Sequence, residues 1–367
     1  MFWVVSEDYP RTLLELEKRF SSEEACIEYL AALRWPGGWI CPRCAATEGW
    51  TVRRNRWLCG HCRYEMSVTA GTVFQDSHLP LTIWFRAIWQ VTSQKNGISA
   101  IGLQRVLGLG SYQTAWMMMH KLRRAMIRPG RDSLSGIVEV DETYWGAEEP
   151  GLIGRLTENK VIVAIAVEED GRRIGRIRLK TIPDVKRATL HGFIAASVEP
   201  GSTVRTDGFA AYLGMDGYIH QRQVQTEQPE AEHVLPRVHL VIGLLKRWML
   251  GTLQGAIGSA YLDDYLNEFT FRFNRRRSAS RGKLFYRLAQ QAVQIEPVPF
   301  AKLVKPQQLG AWWRQVDSQI PQKARKRMGT LTVSSSRINI GERAESCLLK
   351  CGTARASSLA LPLRPAR

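Results

Sequence analysis

The stretch Ile137-Val138-Glu139-Val140-Asp141-Glu142-Thr143-Tyr144 determines how the rest of the chain is interpreted. Its β-branched and alternating residues predict a short strand that carries Asp141 near its C-terminal end. A second stretch, Thr203-Val204-Arg205-Thr206-Asp207-Gly208, has the same form and carries Asp207. The sequence therefore predicts two strands that each deliver one aspartate.

The elements around these strands predict an α/β domain. The first strand is followed by an apolar run, a turn and an alternating run, which predict two antiparallel strands at 160–167 and 174–182. A helix, the second aspartate strand, a weaker strand at 218–224 and several helices come next. This is the order of an RNase H-like domain, in which the first and fourth strands are neighbours. We therefore expect Asp141 and Asp207 to lie side by side.

Helices and a metal-binding ribbon are predicted ahead of this domain. Residues 11–34 carry apolar side chains at helical spacing, and Ser21-Ser22-Glu23-Glu24 offers an N-cap for the second of two short helices. Two CxxC pairs follow, and their spacing predicts one structural Zn²⁺ ion. The four predicted ligands are Cys41, Cys44, Cys59 and Cys62. Because four thiolates leave no open position, we expect neither a catalytic zinc nor a ligand role for His61.

Residues 80–127 predict three helices, of which the second and third form a helix-turn-helix-like pair. Gly108-Leu109-Gly110 ends the second helix and Ser111 caps the third. Basic side chains on the third helix are expected to face DNA, although a plain helical hairpin packed on the next domain is the alternative. A later basic run is expected to flank a DNA channel, with a solvated helix end as its alternative. The predicted DNA-binding residues are Arg123, Arg124, Arg272, Arg275 and Arg276.

The composition indicates a globular protein with a polyanionic partner. Hydrophobic residues make up 44% of the 367 residues, and the formal net charge is +17. This charge favours nucleic acid over a membrane, because no basic amphipathic anchor, long apolar run or signal peptide is evident. A charge that serves only solubility is the alternative. Seven cysteines, an odd number with CxxC pairs, indicate a reducing compartment. We expect a cytoplasmic, nucleoid-associated protein.

These patterns divide the chain into five predicted segments. They are N-terminal helices at 1–36, a zinc ribbon at 37–78, a helix-turn-helix-like region at 79–130, an RNase H-like domain at 134–296 and a basic tail at 297–367. The end of the tail is rich in Lys and Arg and poor in acidic residues, which is typical of a flexible segment. It is open whether the tail is a DNA-binding extension or an altered C-terminus.

Two neighbouring aspartates suit phosphodiester cleavage by two divalent ions. Such a site needs oxygen ligands that hold the ions about 3.5–4 Å apart, and Mg²⁺ (or Mn²⁺) is the expected cofactor. Asp141 is the predicted bridging ligand and Asp207 the second ligand. Strand alternation places Glu139 on the same face as Asp141 and Glu142 on the other, and both are less favoured. Taken singly, each aspartate is better explained as an ordinary turn residue; taken together on this fold, the pair favours a metal site.

Several short motifs add to the cysteines and the two aspartates. They are Gly71-Thr72-Val73-Phe74, Leu81-Thr82-Ile83-Trp84-Phe85, Val140-Asp141-Glu142-Thr143-Tyr144, Thr206-Asp207-Gly208, Val238-His239, Lys246, Gly251-Thr252, Tyr265-Leu266-Asn267-Glu268-Phe269 and Phe271-Arg272-Phe273-Asn274-Arg275-Arg276. Over roughly residues 10–296 the chain resembles bacterial insertion-sequence transposases of the Asp-Asp-Glu/Asn class with an N-terminal zinc ribbon. The resemblance implies metal-dependent cleavage and transfer of double-stranded DNA at element ends and target, a homo-oligomer on DNA, and a catalytic Lys246.

One departure from the family pattern predicts an impaired enzyme. The family helix reads roughly His-x-x-x-Ser-Asn-x-Lys, but here Gly243 and Leu244 stand where Ser and Asn are expected. Neither side chain ligates a hard cation, so the third ligand is replaced, with Glu232 and Glu268 as possible substitutes. The sequence thus predicts that Leu244→Asn raises strand transfer. Two alternatives are a catalytically inactive DNA-binding relic or regulator, and a zinc-ribbon transcription or RNA-binding factor in which the aspartates have no role.

Overall fold

The N-terminal half of the chain combines a small sheet with helices. A computed structural model describes residues 7–52, 56–128, 130–146, 160–224, 234–255 and 257–304. The first elements, in chain order, are α1 Leu13–Arg19, α2 Glu23–Arg34, β1 Gly49–Val52, β2 Arg56–Cys59, β3 Glu65–Ser67, α3 Leu81–Ser93, α4 Ala100–Leu107 and α5 Tyr112–Ala125. The three strands form an antiparallel sheet in the order β1-β2-β3.

The C-terminal half forms a larger mixed sheet with helices on both faces. Its elements are β4 Ile137–Trp145, β5 Val161–Asp170, β6 Arg173–Ile182, α6 Arg187–Ser197, β7 Thr203–Thr206, β8 Ile219–Arg222, α7 Pro236–Leu253, α8 Leu262–Asn274, α9 Arg281–Ala292 and α10 Phe300–Leu303. Short 3₁₀ helices at Ala210–Tyr212 and Ser259–Tyr261 precede β8 and α8. The mixed sheet and the four-cysteine ribbon confirm the predicted α/β class in outline.

The five strands of the larger sheet lie in the order β6-β5-β4-β7-β8. Strands β4, β5 and β6 are antiparallel neighbours, whereas β4, β7 and β8 run parallel. The register of β4 against β7 pairs Val138 with Val204 and Glu139 with Arg205. The two predicted aspartate strands are therefore neighbours, as the sequence predicts.

Each face of this sheet has its own apolar core. Helices α7 and α8 cover the face that carries Val163, Ile165 and Val167, which we call the α7 core. Helix α6 covers the opposite face, with Val138 and Val140, which we call the α6 core. Strand alternation produces this division, because directly paired residues of neighbouring strands point to the same face.

A third core joins the two halves of the chain. Apolar side chains of α1, α2, α3 and α5 pack together with those of α9, which follows the larger sheet in sequence. The predicted division into five segments stays a prediction, and α9 packs with the N-terminal helices. The predicted tail at 297–367 begins with described residues that include α10, and its remainder at 305–367 lies outside the described residues. Among the helices that the structure describes, none combines the length and the apolarity that a bilayer crossing requires.

The helix caps follow local sequence chemistry. Ser22 and Ser111 accept hydrogen bonds from the backbone N–H groups of Ala25 and Thr114 at the starts of α2 and α5. Gly108 ends α4 with a φ of 64°, a left-handed conformation that glycine adopts without steric cost. These caps confirm the predicted starts of both helices and the predicted turn between α4 and α5.

Candidate functional site

Both CxxC pairs close the same tight backbone turn. The N–H of Ala45 donates to the Cys41 carbonyl at 2.9 Å, and the N–H of Arg63 donates to the Cys59 carbonyl at 3.1 Å. Ala45 and Arg63 have φ values of 59° and 58°, in the left-handed region that non-glycine residues seldom adopt. The repeated geometry presents the four thiols to one point between the turns.

The spacing of the four sulfur atoms fits one tetrahedral zinc ion. Cys41 Sγ lies 3.6 Å from Cys62 Sγ, and Cys44 Sγ lies 3.6 Å from Cys59 Sγ. Zn–S bonds of about 2.3 Å at tetrahedral angles require S···S distances of about 3.8 Å, whereas a disulfide requires about 2.05 Å. The N–H of Cys62 donates to Cys59 Sγ and lowers the pKa of the Cys59 thiol to about 6, which favours the thiolate that binds metal.

These four cysteines form a distinct group in the part of the chain that the structure describes. No other set of three or more His, Cys, Asp or Glu side chains in those residues has its ligand atoms within 4.8 Å of one another. His61 is exposed and lies outside the group, in agreement with its predicted role as a bystander. The donor chemistry and the distances together support a structural zinc ion.

Asp141 lies on β4, and Asp207 directly follows the neighbouring parallel strand β7. Asp141 pairs with Ile165 of β5 and therefore points to the α7 face, and each aspartate follows the paired residues Glu139 and Arg205 by two positions. Neighbouring strands lie about 4.8 Å apart, which sets the scale of the separation between the two backbones. Burial chiefly raises the pKa of Tyr212, followed by the charge of Glu142 and the hydrogen bond to it, and the charges of Asp141 and Asp207 raise it further. Two oxygen donors of this kind fit a hard divalent cation.

Backbone hydrogen bonds orient both aspartate side chains. Asp141 Oδ1 accepts from the N–H of Glu142 at 2.8 Å, and Asp207 Oδ1 accepts from the N–H of Phe209 at 3.0 Å. The second bond closes a short turn directly after β7, which fixes Asp207 at the strand end. The other oxygen of Asp141, Oδ2, lies toward His239 on α7.

Glu139 anchors helix α7 above the aspartates, a role that sequence reasoning missed. Its buried carboxylate accepts a hydrogen bond from the N–H of Val238 at 2.8 Å and another from Arg237 at 3.1 Å. A carboxylate at this position also complements the positive end of the helix dipole. Arg237 reaches Glu169 as well, at 2.7 Å, and thereby ties α7 to β5. Strand alternation predicted the face of the sheet on which Glu139 lies, but it gave no indication that Glu139 caps α7.

One flank of α7 faces Asp141, and Leu244 lies on another. His239 Nε2 is 3.9 Å from Asp141 Oδ2. At 3.6 residues per turn, Lys246 lies about 20° from His239 around the helix axis, but Leu244 lies about 140° away. Leu244 and Trp248 pack against the α7 core, on the side where Trp248 meets α8. An asparagine at position 244 is not directed at Asp141 in this register, so the predicted rescue by Leu244→Asn lacks geometric support.

The neighbouring residues on α7 leave room beside the aspartates. Gly243 is exposed, and a Cβ atom built there meets no other heavy atom within 4 Å. Lys246 is exposed and lies about 10 Å along the axis from His239, at 1.5 Å per residue. The lysine therefore extends the same flank in the direction of the helix C-terminus.

The remaining glutamates near the sheet are engaged elsewhere. Glu142 is buried in the α6 core, where Tyr212 donates to its Oε2 at 2.7 Å. Glu268 on α8 is fully buried and pairs with Arg123 at 2.7 Å, so the prediction that it substitutes for the third metal ligand is corrected to an interior ion pair. The other predicted substitute, Glu232, lies outside the described residues.

Two of the predicted DNA-binding arginines are used inside the protein. Arg123 is buried, pairs with Glu268 and lies over the ring of Tyr265 at 4.0 Å. Arg272 donates to the carbonyl of Val91 at 2.8 Å and to two further carbonyls at the end of α3. Arg123 has no route to a phosphate in this conformation, so the structure contradicts its prediction as a DNA contact. Arg272 is partly exposed, and its role in DNA binding stays a prediction.

The other three predicted arginines are partly buried. Arg124 lies 3.5 Å from Asp264, Arg275 stacks on the ring of Phe271 at 4.0 Å, and Arg276 donates to backbone carbonyls of α8 and β6. Their role in DNA binding stays a prediction. Helix α5 instead exposes its first turn, where Tyr112 and Gln113 reach solvent.

Comparison with known proteins agrees with this arrangement. Residues 133–274 match the family model described as an ISXO2-like transposase domain, and residues 21–65 match a transposase zinc-ribbon domain. A curated protein of the transposable element ISH50 in Halobacterium salinarum is 26% identical over 281 residues, which cover 70% of this chain and 92% of that protein. The first match contains both aspartates and the second contains all four cysteines.

A zinc ribbon ahead of a transposase-type α/β domain defines the class of protein. The two family matches and the ISH50 relative confirm the predicted resemblance to insertion-sequence transposases with an N-terminal zinc ribbon.

Proposed function

We propose that the chain is the DNA transposase of an insertion sequence and that Asp141 and Asp207 form its catalytic metal centre. The observation that carries the proposal is the β4–β7 register, because its continuation by two residues would bring Asp141 and Asp207 opposite each other. The strand order β6-β5-β4-β7-β8, with helices on both faces, is the arrangement expected of an RNase H-like domain. The match of residues 133–274 to a transposase domain supports the same reaction class.

The aspartates hold divalent cations and thereby position the scissile phosphate. Mg²⁺ or Mn²⁺, when bound, neutralises developing charge on the phosphate and activates the attacking hydroxyl. The backbone hydrogen bonds to Asp141 and Asp207 hold their carboxylates in place before substrate arrives. Lys246, exposed on the flank of α7 that faces Asp141, contacts a phosphate of the bound strand.

DNA approaches the centre along the flank of α7 and is held by the N-terminal elements. The zinc ribbon exposes Arg43 and Arg63, and the first turn of α5 exposes Tyr112 and Gln113. In a helix-turn-helix the start of the second helix meets base edges, so Gln113 is placed for base contacts to the element end. The net charge of +17 supplies the electrostatic part of binding. A homo-oligomer in the cytoplasm joins the two ends.

One observation favours a second candidate, a DNA-binding relic that regulates transposition without catalysis. Among the described residues, no third carboxylate or histidine completes a compact group of three ligand atoms with Asp141 and Asp207. Position 244 supplies no oxygen atom. A protein with this deficiency still binds element ends through its ribbon and helices and competes with an active enzyme.

Transposition of a marked element distinguishes the two candidates. The chain is supplied in trans to an element whose own reading frame is replaced by a resistance marker, and insertions are counted. The transposase produces insertions that disappear with Asp141→Asn or Asp207→Asn, while both variants still bind end DNA. Insertions at the background level with the unaltered chain, together with normal end binding, would instead establish the relic.

A further inference from the structure

A cationic cavity opens where α8 ends and α9 begins. Its volume is about 420 Å³, within the range of ligand sites in proteins. Four basic side chains line it: Arg275, Arg277, Lys283 and Arg287. Ser280 lines it as well, and its hydroxyl oxygen is shielded from solvent and has no hydrogen-bond partner among the described residues. The cavity therefore offers several hydrogen-bond donors to a ligand that carries oxygen acceptors.

This cavity lies beyond the outer edge of the larger sheet. Asn274, at the end of α8, exchanges hydrogen bonds with both backbone groups of Ile177 on the edge strand β6. Arg277 reaches the β5–β6 hairpin, where it pairs with Asp170 at 2.7 Å. Two strand spacings, about 10 Å, separate β6 from β4, which carries Asp141. A ligand in the cavity is thus outside the aspartate centre.

Arg275 is a cation of this cavity that has no acidic partner. Its guanidinium stacks on the ring of Phe271 at 4.0 Å and donates to the Phe271 carbonyl at 3.2 Å, and no carboxylate in the described part of the chain pairs with it. Burial lowers the pKa of Arg275 to about 10, and the positive charges of Arg287 and Arg128 lower it further. Because these like charges repel, an anion in the cavity stabilises their charged forms.

The carboxylate of Glu7 already binds two of the four cations. Its Oε2 lies 2.9 Å from Lys283 Nζ, and its Oε1 accepts a hydrogen bond from Arg287. The segment that carries Glu7 crosses the start of α9 at Gly282, where an added Cβ atom would meet the Pro10 carbonyl oxygen at 1.7 Å. Both cations stay partly exposed. A phosphodiester group has the same charge as a carboxylate and the same pair of acceptor oxygens, so it fits the place that Glu7 occupies.

We propose that this cavity binds a backbone phosphate of double-stranded DNA, and that the phosphate displaces Glu7 from Lys283 and Arg287. The inference rests on the proposed function, because it assigns a contact for the DNA of a transposase. A phosphate contact positions the duplex and carries no sequence information. The cavity therefore anchors the DNA at a distance from Asp141, and the N-terminal segment competes with the DNA for the same cations.

DNA affinity and its salt dependence test the assignment in the full chain with its zinc retained. A labelled end duplex and a duplex of scrambled sequence are titrated at several salt concentrations and followed by fluorescence anisotropy. Lys283→Gln, Arg287→Gln and Arg275→Gln should each weaken binding to both duplexes by about tenfold. Each should also make the slope of log affinity against log salt shallower by about one. Glu7→Gln should instead strengthen binding, because the cations are released.

Lys186→Gln is the matched control. Lys186 also pairs with a carboxylate, that of Asp184 at 3.4 Å, but it lies at the start of α6, away from the cavity. The substitution removes the same charge and should leave DNA affinity within about twofold, because distant surface charges are screened by salt.

Inorganic phosphate distinguishes a phosphate of DNA from a free phosphate ion. Added at constant ionic strength, it should displace the duplex only weakly, because the DNA is held at other points as well. Tight binding of inorganic phosphate that Arg275→Gln abolishes, with DNA affinity unchanged in that variant, would overturn the assignment to DNA.

The other contradictions separate the inference from the proposed function. If the unaltered chain binds both duplexes and the three cation variants keep its affinity and salt slope, the inference fails alone. It also fails if Glu7→Gln weakens binding as Lys283→Gln does, because the cations then only hold the N-terminal segment in place. If the unaltered chain binds neither duplex, the proposed function fails as well. Circular dichroism of each variant shows whether the fold is retained.

Discussion

The Arg123–Glu268 pair provides a sharp test because two roles for Glu268 predict different results. Both side chains are buried between α5 and α8, with 2.7 Å between Arg123 Nε and Glu268 Oε2. Removing one partner of such a pair leaves an uncompensated buried charge and costs about 3–5 kcal/mol. We therefore expect Glu268→Leu and Arg123→Leu each to lower the free energy of unfolding by about this amount.

A double-mutant cycle isolates the pair from its surroundings. The variant that carries both Arg123→Leu and Glu268→Leu leaves neither of these two charges unpaired. Its loss of unfolding free energy should therefore be clearly smaller than the sum of the losses in the two single variants. Arg272, which lies 3.8 Å from Glu268, also loses a partner in Glu268→Leu and in the double variant. Urea unfolding followed by tryptophan fluorescence measures all four proteins, and Mn²⁺ affinity is measured on the same samples.

The outcome decides between an ion pair and a metal ligand. If the two side chains form an ion pair, the cycle should show strong coupling between them. Glu268→Leu should then leave the Mn²⁺ affinity unchanged in protein that remains folded. Additive single effects, combined with a loss of Mn²⁺ affinity on replacing Glu268, would refute the interior role. As a matched control, Glu17→Leu removes an exposed carboxylate 3.8 Å from Arg86 and should change stability by less than about 1 kcal/mol.

Three further predictions follow from the same contacts. Burial lowers the pKa of His120 to about 4. His120 therefore takes up a proton near pH 6.5 in the unfolded chain but only near pH 4 in the folded chain. The contribution of His120 to the free energy of unfolding is full above pH 6.5, and this free energy falls by about 3 kcal/mol as the pH drops toward 4. Urea unfolding between pH 7 and pH 4.5 should show this slope, and its persistence in His120→Gln would argue against His120 as the cause. Glu139→Gln should destabilise the chain by about 1.5–3 kcal/mol in the same assay, because the bonds to Arg237 and Val238 lose their charge; an unchanged midpoint would contradict the anchor. Leu244→Asn should leave transposition within twofold, whereas a large gain would restore the ligand role predicted from the family pattern.

Local chemistry made much of the fold predictable. Ser22 and Ser111 each cap a helix through contacts three residues away, and the two CxxC pairs need only short turns to converge. The pairing of β4 with β7 spans a longer separation but follows from the order of the strands. Predictions of this kind succeed because the deciding interactions lie within one element or follow from strand order.

Long-range partners limited the prediction of the site. Arg123 resembles an exposed helix-end arginine until Glu268, 145 residues later, is placed beside it. Glu139 caps α7 across a separation of 99 residues. Periodicity did contain one useful signal, because Leu244 follows His239 by five positions in the helix and therefore lies on a different flank. Aligning a motif by sequence alone conceals that rotation.

Metal-dependent cleavage of end DNA is the decisive measurement for a metal centre at Asp141 and Asp207. The substrate is double-stranded DNA from each side of this chain's reading frame, incubated with purified protein and Mg²⁺, Mn²⁺ or Ca²⁺. Strand cleavage at the element end is expected with Mg²⁺ or Mn²⁺, and none is expected with Asp141→Asn or Asp207→Asn, although both variants bind the same DNA. Cleavage that persists in both aspartate variants, or that needs no divalent ion, would contradict that metal centre.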